Sequence, residues 1–331
     1  MTHAAAPNRR RWLIEAGVSA LVALPAAQAG TPWPQRPVQL VVAYPPGGVS
    51  DEVARLLAER LAGRLGVAVV VRHRPGASGT LAFEHLSRAP ADGHTLLWSA
   101  ITPLTVLPLM MRLGFDPTRD VVPVMAVMAT PLLLLATPAL AAHDLPSALQ
   151  QARQIPGGLR WASSGRGTTG HLVLAHTRQA SGAPIVHIPY KGGGQQINDA
   201  LGGQFHLLSS NLAPQQLAHV RQGRLRALAL GAPERSSTLP GVPTLAELGL
   251  PQANLWSTFG LFAPAGTPAD RLNALNRAAQ AVLGEPTVQS RLRAIDNRPL
   301  GGSAQALALR IQQERVAAEA LWGLGGLHET G

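Results

Sequence analysis

The sequence predicts an α/β protein in which parallel strands are flanked by helices on both faces, and three observations predict it. From Val38 onward, short apolar runs alternate with helix-length amphipathic segments. Glycine or proline turns separate the two at nearly every step. The scheme then runs again from Gly157 with its own glycine-rich loops, so the chain divides into two α/β lobes.

The first segment stands outside this scheme. Arg9, Arg10 and Arg11 precede the apolar run "WLIEAGVSALVALP", and Ala27 and Ala29 flank Gln28 as a small-residue cleavage site requires. Residues 1–29 are therefore read as an export signal, taken by either the Sec or the twin-arginine route. A membrane anchor fits poorly, because the run is shorter than the about 20 residues needed to span and contains Glu15. Losing three arginines and one glutamate lowers the formal charge from +10 to +8.

The fold proper begins with "PVQLVVAY" as a strand, followed by a helix from about Ser50 to Leu65 whose Val53, Leu56, Leu57, Leu61 and Leu65 share one face. "VAVVVRHRP" is a second strand, "GASGTLAFEHLSRA" a second helix opened by Gly76 and Gly79, and "HTLLWSA" a third strand. The long apolar stretch "VVPVMAVMATPLLLLATPAL" is divided by Pro123, Pro131 and Pro138 into strand-sized pieces, not a membrane span. "GGLRWASSGRGTTGHLVLAHTRQA" is strand, polar glycine loop and helix, with Ser164, Thr168 or Thr169 as candidate N-caps. "PIVHIPYKGGGQQINDALGGQ" repeats the unit and stops at Gly202-Gly203. "FHLLSSN" and "RLRALALGA" are two more strands. After "LWSTFGLFAPAG", Thr267-Pro268 starts a helix, and "SAQALALRIQQERVAAEALWGLG" closes the chain as an amphipathic helix.

Composition excludes several functions. There are no cysteines, so an exported chain is neither a disulfide scaffold nor a lipoprotein. The basic charge is scattered over Arg55, Arg60, Arg64, Arg72, Arg74 and Arg88, and aromatics make up 4%, which argues against nucleic acid and for a field that attracts small anions. "PPGGVS" lacks the dinucleotide-binding spacing, there is no phosphate-loop motif, and "WASSGRG" lacks the first glycine of a nucleophile elbow. His73, His85 and His94 are too loosely spaced for a metal site. An α/β hydrolase is the least favoured reading; no catalytic residue, cofactor or metal is expected. Trp33, Trp98 and Trp161 read as core residues.

What remains is a strand, a glycine turn and a helix start in "VVAYPPGGVSDEVARLL", an arrangement whose unpaired first-turn N–H groups and helix dipole suit an anion. In a parallel α/β sheet such loops gather at the strand ends. Two lobes with loops aimed at a shared cleft describe a hinged ligand binder.

The same segments carry a resemblance. "WPQRPVQLVVAYPPGGVSDEVARLLAERL", "RPGASGTLAFEHLSRAPADGHTLL", "GFDPTRDVVPV", "ASSGRGTTGHL", "HIPYKGGGQ", "LRALALGAPERSSTLPGVPTLAELGL" and "GLFAPAGTPADRLNALN" are similar, in order and over essentially the whole mature chain, to the tripartite tricarboxylate transporter substrate-binding proteins, the Bug or TctC-type periplasmic receptors. The resemblance implies a two-lobed class II periplasmic-binding-protein fold, each lobe a mixed, mostly parallel sheet flanked by helices. It implies a monomer in the periplasm that closes on a small mono- or dicarboxylate and passes it to the membrane permease subunits of a tripartite tricarboxylate transporter. The alternative is an orphan receptor presenting its ligand-bound form to a sensor protein. The expected lobes are 30–136 with 257–331, and 137–256.

Carried over by position, the resemblance implies that Tyr44, Gly47, Gly48, Ser50 and Asp51 hold one carboxylate, largely through main-chain N–H groups and bridging water. Ser163, Ser164, Gly167, Thr168, Thr169 and His171 form the facing loop, and Tyr190 and Lys191 contribute a third. After the third strand the family's polar loop is replaced by "SAITPLTVL", which retains Ser99 and Thr102 but brings Ala100, Ile101, Pro103 and Leu104. Where the family often has Asp-Asn, this chain has Ser210-Asn211. Without that carboxylate an ammonium group loses its partner, so the expected ligand has an apolar or aromatic body and no amine. For Asp51, His171 and Lys191 the residues themselves equally allow a helix-dipole partner, a packed histidine and a solvated loop lysine.

Overall fold

The structure, a computed structural model, describes residues 1–4, 33–325 and 327. Beyond its first four residues, the expected export signal lies outside the described residues. From Trp33 onward the chain forms one compact unit. Its elements run β1 (Val38–Val42), α1 (Val49–Leu65), β2 (Val69–His73), α2 (Thr80–Ser87), β3 (Thr95–Ala100), the short α3 (Thr102–Thr105) and α4 (Leu107–Met110), and β4 (Val121–Thr130). After Pro131 come β5 (Leu132–Ala136), α5 (Leu145–Ala152), β6 (Leu159–Ser163), α6 (Thr169–Ser181), β7 (Ile185–Pro189), α7 (Gly193–Leu201), β8 (Leu207–Asn211), α8 (Pro214–Arg221) and β9 (Arg226–Gly231). The chain finishes with β10 (Ser257–Pro264), α9 (Ala269–Leu283), α10 (Pro286–Arg293), β11 (Arg298–Pro299) and α11 (Ala304–Gly323).

These strands form two sheets, ordered β2-β1-β3-β10-β4-β11 and β7-β6-β8-β5-β9. The plan is the same in both. A first strand lies between its parallel second and third strands, and next to the third runs one antiparallel strand, β10 or β5. Each antiparallel strand enters its sheet directly from the other lobe, so two crossing segments join the lobes.

This corrects two expectations. Leu132–Ala136, expected in the first lobe, pairs with β8 and β9 of the second sheet. The passage between lobes is therefore at Pro131, where the missing N–H and fixed φ interrupt the ladder. Pro123 does not divide the apolar stretch: β4 runs through it, and the register against β10 shifts between Leu261 and Phe262, where Phe262 faces Pro123. A bulge there accommodates a residue that cannot donate.

Strand alternation explains the layering. In β1, Leu40 and Val42 enter one core with Leu57 and Leu61 of α1 and Leu275 and Val282 of α9, while Val41 faces Phe83 of α2, Phe262 and Leu307 of α11. In β5, Leu132 and Leu134 lie with Trp161 and Val173, and Leu133 and Leu135 with Ile197 and Leu217. Trp98 and Trp161 are fully buried, as expected. Each buried Leu or Val contributes about 1.5–3 kcal/mol, so both layers hold the strand ends that present the loops.

Candidate functional site

The loops that follow β1, β2 and β3 meet those that follow β6 and β7. A Cβ built on Gly192, at the start of α7, would lie 3.5 Å from Pro45, in the turn after β1. One on Gly165 would lie 2.6 Å from Ser78 Oγ, and one on Gly167 2.4 Å from Leu107 and 3.4 Å from Met110 Sδ. The lobes are thus in contact across their strand ends, and glycines in the second lobe make the approach possible. Behind this line an apolar seam joins Leu172 and Ala175 of α6 to Val106, and to Ala318 and Leu321 of α11.

On the first-lobe side, Gly47 adopts φ +88, a conformation that favours glycine, and its N–H donates to Asp51 Oδ2 at 3.0 Å. Gly48 is the residue before α1, with ordinary extended geometry. Asp51 and Glu52 N–H groups donate to Gly48 O. Among the described residues, the N–H groups of Gly48, Val49 and Ser50 find no acceptor, which leaves three open amides at the positive end of the α1 dipole.

The side chains expected beside them turn elsewhere. Ser50 accepts from Trp98 Nε1 at 2.8 Å and lies in the core. Asp51 is buried; its Oδ1 contacts His73 Nε2 at 2.7 Å and Arg55 Nε at 3.0 Å. Burial pushes its carboxyl upward, yet the Gly47 N–H, His73 and Arg55 outweigh this and hold it below the usual range. Tyr44 is half-buried; its hydroxyl accepts from Ala100 N–H at 3.2 Å and its ring leans on Phe259. Ser99 is fully buried in β3. Ser50, Asp51 and Tyr44 thus have partners within their own lobe, whereas the buried Ser99 hydroxyl makes no hydrogen bond among the described residues and lies 3.6 Å from a Cβ built on Gly79.

The second-lobe loop has the same logic. Ser163, fully buried, donates its hydroxyl to Gly165 O at 2.9 Å, and Thr168 donates to the same carbonyl at 2.8 Å. Thr168 is the N-cap residue of α6, but its hydroxyl makes no cap bond. His171 is also buried, and its Nδ1 accepts from Gly167 N–H at 3.0 Å. His171 and Leu172 N–H groups return to Thr168 O. The amides of Thr169 and Gly170 have no acceptor among the described residues, and the hydroxyls of Ser164 and Thr169 make no hydrogen bond there.

The remaining predicted residues separate. Tyr190 donates its hydroxyl to Asp199 at 2.7 Å, and burial and that carboxylate push its phenol up to about 12. Its own N–H donates to Ser163 O, which ties the third loop to the second. Lys191 is exposed beside Gly192. Ser210 is buried and accepts from Gln216 Nε2 at 3.1 Å, while Asn211 accepts from Ser257 at 2.6 Å, across the junction of the two sheets. Ala100, Ile101 and Leu104 are buried as well, Ile101 and Leu104 within the first-lobe core. The apolar replacements after β3 therefore fill the interior; Leu107 and Met110 are the side chains that approach the opposite loop.

Sequence reasoning missed the Gly76–Gly79 turn as a cleft element. All four of its residues have positive φ, including Ala77 at 44° and Ser78 at 53°, and Ser78 stands against Gly165. The Gly79 N–H closes the turn onto Gly76 O at 2.9 Å, and backbone strain of this kind gathers at ligand sites. Its signal was the spacing of Gly76 and Gly79 around two small residues. Among the described residues no cluster of His, Cys, Asp or Glu can hold a metal ion.

Comparison with known proteins gives a consistent set. Residues 53–322 match the model of the tripartite tricarboxylate transporter family receptor. The chain is 37% identical over 284 residues to protein BugT of Bordetella pertussis, an alignment covering 85% of this chain and 87% of BugT. The solved structure of R. palustris Rpa4515 with adipate superposes with TM-score 0.82 at 34% identity, covering 88% of this chain and 97% of that one. MatC from Rhodopseudomonas palustris with bound malate gives 0.79 at 29% identity, with 87% and 99% covered.

Proposed function

The chain belongs to the tripartite tricarboxylate transporter receptor family, and from that premise we propose that it captures a small dicarboxylate without an amine between its lobes, in the periplasm, and delivers it to the membrane permease of such a transporter. The observation that carries this reading is the unpaired first-turn amides, at Gly48–Ser50 in one lobe and at Thr169–Gly170 in the other, each on a loop at the strand ends where the lobes touch. Amides at two helix starts offer one carboxylate-sized cradle on each lobe, with the dipoles adding to the attraction. Ligands seen in the neighbours, adipate and malate, are dicarboxylates.

The acidic residues near these loops support the choice of an amine-free acid. Asp51 is closed off by His73 and Arg55 and Asp199 by Tyr190, and at the end of β8, where the resemblance leads one to expect an aspartate, stands Ser210. Catalysis has no support here: Ser163 and His187 are in contact, yet the hydroxyl already donates to Gly165 O behind the loop. The lobes of this reading are 33–130 with 257–325, and 132–256. Small molecules released from natively purified protein, identified by mass spectrometry, and calorimetry with adipate, malate and aspartate test it. Adipate or malate should bind and aspartate should bind about tenfold or more weakly; tighter binding of aspartate refutes it.

A further inference from the structure

Beneath the second-lobe loop, the rings of His171 in α6 and His187 in β7 stack with centroids 4.1 Å apart and planes 6° from parallel. His171 Nδ1 accepts from Gly167 N–H, so its proton sits on Nε2. His187 Nε2 lies 2.7 Å from Ser163 Oγ. Because Ser163 donates to Gly165 O, the hydroxyl accepts from His187 Nε2–H. The pair thus grips both halves of the loop from behind: His187 through Ser163 and Gly165, His171 through Gly167.

We propose that His171 and His187 are positioning residues, a stacked imidazole pair that fixes the loop from Ser163 to Thr169 so that its amides meet the ligand without themselves touching it. This rests on the reading that the loop holds a carboxylate. His171, read from the sequence as a ligand contact, is 1% exposed, and its hydrogen-bonding nitrogen is turned to the loop backbone. A proton on Nδ1 would set two donors against each other at Gly167 and break the grip. The surroundings prevent this: burial first, then the charges of His187 from β7, Arg178 from α6 and Arg166 from the loop, push the His171 imidazole well below its ordinary value. The His171 ring is thereby kept neutral, while Arg166 remains on the exposed side.

The test combines ring spectroscopy with paired variants of the full mature chain. Nitrogen-15 spectra should show His171 neutral, protonated on Nε2, and not titrating between about pH 8 and 6, with the Gly167 amide protected from exchange. His171→Asn and His187→Gln keep an acceptor or donor near the same atoms, and should hold adipate affinity within about threefold. His171→Leu and His187→Leu, with melting checked, should lose about tenfold or more. Adipate bound equally by the leucine variants, or a His171 ring that titrates near its ordinary value with an unprotected Gly167 amide, overturns the proposal. Should adipate bind to none of the proteins while the ring and amide signatures hold, loop positioning stands and the dicarboxylate reading falls.

Discussion

The turn after β1 and the loop after β6 occupy equivalent places in the two lobes, yet side chains of opposite character fasten them. A buried carboxylate, Asp51, holds the first through Gly47 N–H and is itself held by His73 and Arg55. The second is held by hydroxyls and an uncharged imidazole, through Ser163, Thr168 and His171. The fastening consumes one N–H of the first loop, that of Gly47, and the Gly165 carbonyl with the Gly165 and Gly167 N–H groups of the second, and in both the first-turn amides of the helix are left open. The fastening chemistry is therefore interchangeable; what the two lobes share is the backbone shape, and a carboxylate beside an anion site is acceptable once two partners cover it.

The largest expected effect follows from the place where the two regions touch. Gly165→Val adds a side chain at φ +148, 2.6 Å from Ser78 Oγ and 3.3 Å from Tyr190 O. It should block closure and reduce adipate affinity by about a hundredfold or more, with scattering showing no compaction on ligand addition. Gly48→Val comes next. Gly48 has φ −95 and nothing within 4 Å of an added Cβ, so the fold should be unchanged while a branched side chain stands over the amides; calorimetry should show about tenfold weaker binding.

The two fastenings also separate by pH. His171 has its imidazole depressed, so its contribution to stability is complete above the unfolded value of about 6.5 and declines as pH falls below that. Asp51 is likewise depressed but as an acid: its contribution is complete above about 4 and is lost as pH falls from there through the folded value. Denaturant unfolding across this range should show two successive losses, the upper reduced in His171→Asn but kept in part by His85, His176, His206 and His219, and the lower reduced in Asp51→Asn but kept in part by Asp92 and other depressed carboxylates. A single loss untouched by either substitution would break the comparison. The smallest effect is expected of Lys191→Ala, an exposed lysine whose loss should weaken adipate by no more than about threefold and only at low salt.

Much of this architecture was legible in the sequence. Alternating apolar runs and helix-length segments identify β1, α1, β2, β3 and their counterparts from β6 to β9, because burial on two faces and helix periodicity are local signals. The lobe of β5 was not legible: Val121 to Ala136 is apolar apart from Thr130 and its prolines, and only pairing with β8 and β9, distant in the chain, assigns it. The site divides similarly. Glycines at 47, 48, 165 and 167 announce loops at strand ends, but the direction of Ser50, Asp51, Ser163 and Ser210 depends on Trp98, His73, His187 and Gln216. Three of those partners are more than twenty residues away, and no local pattern connects them.

The most direct test is a crystal structure of the mature chain with adipate. One carboxylate should lie within about 3 Å, directly or through one water, of the Gly48–Ser50 amides and the other at the Thr169–Gly170 amides, with His171 and Asp51 still bound to their own loops. A ligand held by the Lys191 and Arg166 side chains, with both sets of amides facing bulk solvent, would contradict this arrangement.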